Sequence, residues 1–226
     1  MTSSKNTRGF FVSIEGADGA GKTTQAYMLK ERLESERYKV FLTREPGGTP
    51  IGEEIRNILL NPHFKEMSVP TEILLYSAAR AQLVTELIRP YLEKGYVVIT
   101  DRYLDSSIVY QGLAGGEKLE MIRDTNIWAT GGVLPDMTFL LDIDAEHGLQ
   151  RLERKGEGLI PFHKDRMEQK ELEFHRKVQE GFLLLASQER KRFVILNAEK
   201  EPQKVHEQLW DRLQSLLLNK TNVSKI

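Results

Sequence analysis

The 226-residue chain has no cysteine. That absence excludes a disulfide framework, a thiolate zinc site and a cysteine nucleophile. It also has no excess of charge of either sign, since 32 Lys and Arg stand against 33 Asp and Glu. A nucleic-acid coat or a polybasic membrane binder would carry a marked positive surplus, so neither partner is expected, although a balanced total can hold a local basic patch. No apolar run approaches the ~18 residues of a membrane span. The polar stretch over residues 1–8 lacks a signal-peptide core, which leads to the expectation of a cytoplasmic protein. Repeats, low-complexity blocks and linkers are missing too. A chain of this length buries roughly 70–75% of its unfolded surface and needs no staple. One domain over residues 1–226 is expected, with residues 1–8 and 219–226 as flexible tails.

What the sequence does contain is an alternation. Short apolar runs at 10–14, 39–43, 96–100, 137–142 and 192–196 read as strands. Most are continuously apolar rather than alternating, as expected where parallel strands are covered on both faces. Helical patterns fill the intervals at 23–37, 71–93, 104–110, 118–129, 145–154, 165–191 and 202–218, with Pro90 marking a kink or break in the second. Strand and helix alternating in this way predict an α/β fold, with a five-stranded parallel sheet and helices on both faces. Functional residues should then gather at the carboxyl ends of the strands.

Directly after the first strand come Gly16, Ala17, Asp18, Gly19, Ala20, Gly21, Lys22 and Thr23, which fit the pattern G-x-x-x-x-G-K-[ST]. Such a loop curls its backbone N–H groups around phosphate oxygens, and the following helix adds the positive end of its dipole. Lys22 is placed to reach the β/γ-phosphates, and the Thr23 hydroxyl to help hold Mg²⁺. The pattern establishes a Mg-nucleotide site without saying where the γ-phosphate goes.

The other strand ends carry charge. Arg44, before the turn Pro46-Gly47-Gly48, reads as a phosphate or base contact. Asp101 leaves the third strand where it can support Mg²⁺, and Arg102 beside it can clamp a second phosphate bidentately. Tyr76 and Arg80 stand i, i+4 on one helix and share a face; taken alone, the pair reads as a core tyrosine and a surface arginine. Residues 151–166 include Arg151, Arg154, Lys155, Lys164 and Arg166 with Gly156 and Gly158. They read as a short lid that brings cations over the transferring phosphates and shuts out water.

Glu15 with the phosphate loop, Thr43-Arg44-Glu45-Pro46-Gly47-Gly48, Ala79-Arg80, Asp101-Arg102-Tyr103, Tyr110-Gln111-Gly112 and Pro135-Asp136 occur in an order that resembles the bacterial thymidylate kinase family, over about residues 10–182. The resemblance implies the P-loop nucleoside monophosphate kinase fold, ATP and Mg²⁺ as cofactors, dTMP as acceptor, and a homodimer. It implies that Asp18 addresses the acceptor sugar hydroxyl, that Arg44 and Arg102 bind the acceptor phosphate, and that Arg80 and Gln111 contact the base. Tyr76 falls where the family often has a stacking Phe. Arg166, in Asp165-Arg166-Met167-Glu168, matches the element that closes the lid and is the expected lid cation. Lys22, Arg102, Asp101 and Arg166 are thus the expected catalytic residues, with Thr23 and Asp101 toward the metal. Gly19 occupies a loop position where one subgroup carries arginine, and Leu113-Ala114-Gly115-Gly116 replaces a segment that often holds an arginine.

The chemistry is consistent with this set, because a phosphate acceptor needs no general base and none of the five His is required. Three alternatives remain at this stage: a non-catalytic nucleotide-binding module, another nucleoside monophosphate kinase on the same scaffold, and a nucleotide-hydrolysing switch. The last would read guanine with Asn-Lys-x-Asp, and residues 219–222, Asn-Lys-Thr-Asn, lack the final acid.

Overall fold

The computed structural model describes residues 8–156, 165–218 and 223–225, without the Lys155 side chain. Five strands form one sheet: β1 (Phe10–Gly16), β2 (Val40–Arg44), β3 (Val97–Asp101), β4 (Met137–Asp142) and β5 (Phe193–Asn197). All pairings are parallel and the order is β2-β3-β1-β4-β5. The expected strands are met within two residues at each end. The three central strands supply the core, with Phe11, Val12, Ile14, Val97, Val98, Ile99 and Phe139 fully buried. Burial on both faces explains why these runs lack polar alternation.

Helix α1 (Lys22–Ser35) follows β1 and packs with the last helix, α9 (Pro202–Leu217), through buried Leu29, Leu33, Leu209 and Leu213. On the other side α8 (Leu172–Gln188) presses Val178, Phe182 and Leu185 toward β4 and β5. The chain leaves β1 toward β2 and β3, then passes to β4 and β5 beyond it. The carboxyl end of β1 is therefore the point where the winding reverses, and a ligand crevice opens there. Register brings Ile14 beside Asp101 and Arg44 beside Asp101.

Four elements differ from the sequence pattern, one being the expected helix over 104–110, which is a four-residue helix (Leu104–Ser107) continued by a π turn over Ile108–Leu113. Helix α2 (Pro50–Leu60), not anticipated, starts at Thr49, whose hydroxyl accepts the Gly52 amide at 3.0 Å, with Pro50 in the first turn. The expected helix over 71–93 is α3 (Val69–Leu83), a widened π turn over Val84–Ile88, and α4 (Arg89–Glu93). That wider turn ends just before Pro90, where an N–H is missing and a tighter ladder would clash. The expected helix over 165–191 starts only at Leu172. Ahead of it, Asp165 Oδ1 accepts the Met167 and Glu168 amides at 2.8 and 2.9 Å, while Glu168 Oε2 accepts the Asp165 amide at 3.0 Å. This reciprocal pair closes a separate turn. Of the expected lid, residues 157–164 lie outside the described residues, as do most of the expected tails. The residues just before 157 belong to α7 (Ala145–Gly156).

Candidate active site

The phosphate loop hangs between β1 and α1, and its lysine is buried. Lys22 Nζ donates to the Ala17 carbonyl at 2.7 Å. Burial, helped by the charge of Arg102, lowers the Lys22 ammonium to about 8 against the pull of Asp18, Asp101 and Glu15. An anion entering the loop supplies the missing negative charge. Next to it, Thr23 Oγ1 donates to Asp101 Oδ2 at 2.5 Å, so a hydroxyl and a carboxylate converge at the mouth. The loop also approaches α7 closely, backbone to backbone. A Cβ on Gly19 would lie 2.0 Å from the Gly148 carbonyl oxygen of α7, and one on Gly148 would lie 2.4 Å from the Asp18 oxygen.

Arg102 has a left-handed backbone, φ 68°, which turns the chain sharply as it leaves β3. Two neighbours hold the turn: the Arg102 amide donates to Ile14 O at 3.0 Å and the Tyr103 amide to Glu15 Oε1 at 2.7 Å. The second Glu15 oxygen accepts from Ser106 Oγ at 2.6 Å. Fixed this way, the Arg102 guanidinium donates to Gly16 O at 3.1 Å, Ser106 Oγ at 3.2 Å, Tyr110 OH at 3.1 Å and Asp18. Burial alone would push Asp18 up, but the charges of Arg102 and Lys22 outweigh it and leave Asp18 below the usual carboxylate range. Tyr110 closes the cluster by donating to Asp18 Oδ2 at 2.9 Å.

Beyond this cluster the crevice deepens into a cavity of about 290 Å³. Arg80 lies at its inner wall and is only 1% exposed. Its Nε donates to Glu45 Oε2 at 2.8 Å, Nη1 to Asn126 Oδ1 at 2.6 Å, and Nη2 to Ser107 Oγ at 3.1 Å. A guanidinium pinned on three sides is a fixed donor rather than a surface charge, which corrects the reading of Arg80 taken alone. Burial raises the Glu45 carboxyl, with Arg80 partly offsetting it.

Nine of the sequence-selected side chains line this one cavity: Asp18, Lys22, Thr23, Arg44, Tyr76, Arg80, Asp101, Arg102 and Gln111, with Gly21 of the loop. Arg44 is at the exposed rim and is held bidentately by Glu53 of α2 at 2.9 and 3.1 Å. Arg166 does not join them. Contrary to the expected place over the phosphates, it is 6% exposed, with Nε on Leu59 O at 2.8 Å and Nη2 on Glu72. The physical reason is a buried carboxylate that needs a counter-charge more than an open cleft does. Arg151 is likewise held at Ala198 O, at 2.9 Å.

Residues absent from the expected site are Arg56, Ser106, Ser107 and Tyr110, all on the cavity wall, and Glu72 behind it. Arg56 belongs to the unanticipated α2, so nothing in the strand-end pattern pointed to it. Tyr110 was within reach, being adjacent to Gln111.

A family model described as thymidylate kinase matches residues 14–209. The chain belongs to the thymidylate kinase family. It is 43% identical over 212 residues to the thymidylate kinase of Halothermothrix orenii, covering 93% of this chain and 99% of that one. Against the thymidylate kinase of Deinococcus radiodurans the identity is 46% over 204 residues, covering 90% and 96%. The crystal structure of thymidylate kinase from Ehrlichia chaffeensis shares the fold with a TM-score of 0.72 at 32% identity, covering 92% and 99%. Membership makes the chain an ATP-dependent nucleoside monophosphate kinase with the expected P-loop fold, and sets aside the switch-protein alternative.

Proposed function

We propose that the chain transfers the γ-phosphoryl group of Mg-ATP to dTMP, giving dTDP and ADP on the route to dTTP. The observation that carries this reading is one cavity in which the phosphate-loop residues Gly21, Lys22 and Thr23 stand with Arg44, Arg102, Arg80 and Gln111. The loop amides and Lys22 hold the ATP phosphates. Arg102, with Arg44 at the rim, receives the acceptor phosphate, and Asp18 accepts from the acceptor sugar. Tyr76 offers its ring to the base. Holding two polyanions in line against their repulsion supplies roughly 7–11 kcal/mol of the barrier, and the cations stabilise the charge that spreads over the transferring group.

The Mg²⁺ proposal fits the donor set. Thr23 Oγ1 and Asp101 Oδ2 meet at 2.5 Å, and no group of three or more His, Cys, Asp or Glu forms a cation cage among the described residues. One or two protein oxygens completed by phosphate and water is the usual Mg²⁺ arrangement. When bound, the ion would be held by Thr23 and Asp101 and would supply positive charge against the transferring phosphates. Arg166 acts in this scheme through Glu72 rather than on the phosphates.

A homodimer is also proposed. Leu74 of α3 and Ile127 and Trp128 of α6 (Leu119–Thr130) are exposed on neighbouring helices, Trp128 by 82%. Apolar exposure on adjacent helices marks an interface. Trp128→Glu is expected to give monomers by analytical ultracentrifugation, and an unchanged sedimentation profile would count against this face. No described helix is long and apolar enough to cross a membrane, and we place the protein in the cytoplasm.

The deciding experiment follows ADP release across a panel of nucleoside monophosphates. The greatest kcat/KM is expected on dTMP. Because one methyl group is worth only about 1–3 kcal/mol in an apolar pocket, dUMP should follow within roughly 10–200-fold. A preference for a purine or cytosine monophosphate would assign the site to a different acceptor.

A further inference from the structure

Glu72, Tyr76 and Arg80 stand four residues apart on α3 and so line one face of it. Tyr76 and Arg80 face the cavity, and Glu72 sits behind its wall with a side chain 9% exposed. Both Glu72 oxygens are used. Oε1 accepts from Gln111 Nε2 at 2.6 Å, and Oε2 accepts from Arg166 Nη2. Arg166 is itself anchored at the end of α2, its amide on Leu60 O at 3.1 Å and its Nε on Leu59 O at 2.8 Å.

An ionised carboxylate only accepts hydrogen bonds, whereas a primary amide has one accepting and one donating end. Facing Glu72, Gln111 has to present its NH₂ group, and its carbonyl oxygen is turned the other way. Gln111 lines the cavity, and among the described residues no donor reaches its Oε1. The cavity wall therefore offers an acceptor whose orientation is set from behind, close to the fixed donor Arg80. A pyrimidine with an N–H at position 3 beside a carbonyl matches that order. A 4-aminopyrimidine inverts it, with a bare nitrogen at position 3 and a donor at position 4.

We propose that Glu72 is a positioning residue: held by Arg166, it locks the amide of Gln111 so that the acceptor pocket selects 2,4-dioxopyrimidine monophosphates over 4-aminopyrimidine ones. This deepens the dTMP reading and rests on it. Glu72 touches no substrate; it acts through Gln111, and its link to Arg166 ties base selection to the turn that follows the lid.

The test is Glu72→Gln assayed with dTMP and dCMP at saturating Mg-ATP. Arg166 claims the new carbonyl, the new NH₂ faces Gln111, and Gln111 turns its own NH₂ toward the base. KM for dTMP should rise, and the dTMP-to-dCMP ratio of kcat/KM should fall about tenfold or more, as expected when a buried donor and acceptor are mismatched. KM for ATP should stay as it was. The double variant E72Q/Q111E restores an acceptor-only group at position 111 and should recover most of the lost preference. An unchanged ratio, or equal losses on both nucleotides without recovery in the double variant, overturns the proposal and leaves Glu72 a structural residue. A third arm needs no variant. N3-methyl-dTMP, with a methyl against Gln111 Oε1, should be phosphorylated at least about tenfold less efficiently than dTMP by the unaltered enzyme. Equal turnover overturns the amide assignment even if Glu72→Gln fails to fold. A failed dTMP reading is told apart at once, because the unaltered enzyme would then not phosphorylate dTMP.

Discussion

At the donor end of the cleft, eight consecutive residues, 16–23, make the site largely with main-chain groups and one lysine. At the acceptor end, Glu45, Glu72, Arg80, Gln111, Asn126 and Arg166 come from five separate stretches of chain and meet as buried side chains. The first needs only local geometry: glycines and a helix start. The second depends on charges desolvated together, each tolerable only while its partner is present. Function is therefore expected to be more separable from stability at the donor end than at the acceptor end.

That contrast can be broken most directly with Lys22→Ala and Arg102→Ala. Each should cut kcat by at least about 10²–10³-fold, as loss of a single preorganised cation or donor does, while the urea midpoint of Lys22→Ala stays near that of the parent. Unimpaired transfer in either variant would count against the site. Arg80→Ala probes the other end. It strands the buried Glu45 carboxyl, so about 3–5 kcal/mol of stability should go with the activity, measured by urea unfolding. A variant as stable as the parent would erase the distinction between the two ends.

The smallest expected effect concerns Glu15, which joins the two ends through the Arg102 turn. Burial, then the charge of Asp105, raises its carboxyl from 4.5 to about 8. Between those values the folded chain binds a proton that the unfolded chain has lost. The contribution of Glu15 to stability is therefore complete below pH 4.5 and declines as pH rises through about 8. Glu15→Gln should flatten stability against pH over that window, and an unaltered slope in urea titrations would contradict the assignment.

How much was legible follows the same division. The phosphate loop could be read because its spacing is contiguous and its neighbours, a strand and a helix, are signalled locally. The strand ends Arg44, Asp101 and Arg102 followed from the alternation of elements and the rule that sites form at carboxyl ends. Taken alone, Arg80 reads as a surface residue, because i, i+4 spacing says which residues share a face, not which face is buried; only the family resemblance points it toward the base. Glu72 carried no signal at all, since its meaning lies in Gln111 and Arg166, 39 and 94 positions away. The resemblance of Asp165-Arg166-Met167-Glu168 to the element that closes the lid points Arg166 at the phosphates, whereas the energetic demand comes from a buried acid on another helix. Helix α2 escaped because Pro-Gly-Gly punctuation drew attention from the Thr49-Pro50 start just beyond it.

The contact between Gly19 and Gly148 constrains how this enzyme can change. A side chain on the loop at position 19 collides with the α7 backbone, and one at 148 collides with the loop. Placing an arginine at position 19 is therefore not a single-step mutation on this background. The α7 helix must first shift away, a change with no benefit until the arginine arrives. Two glycines that leave a Cβ on Gly19 only 2.0 Å from the Gly148 oxygen set an order of events, because the two backbones must part before a side chain can enter at either position.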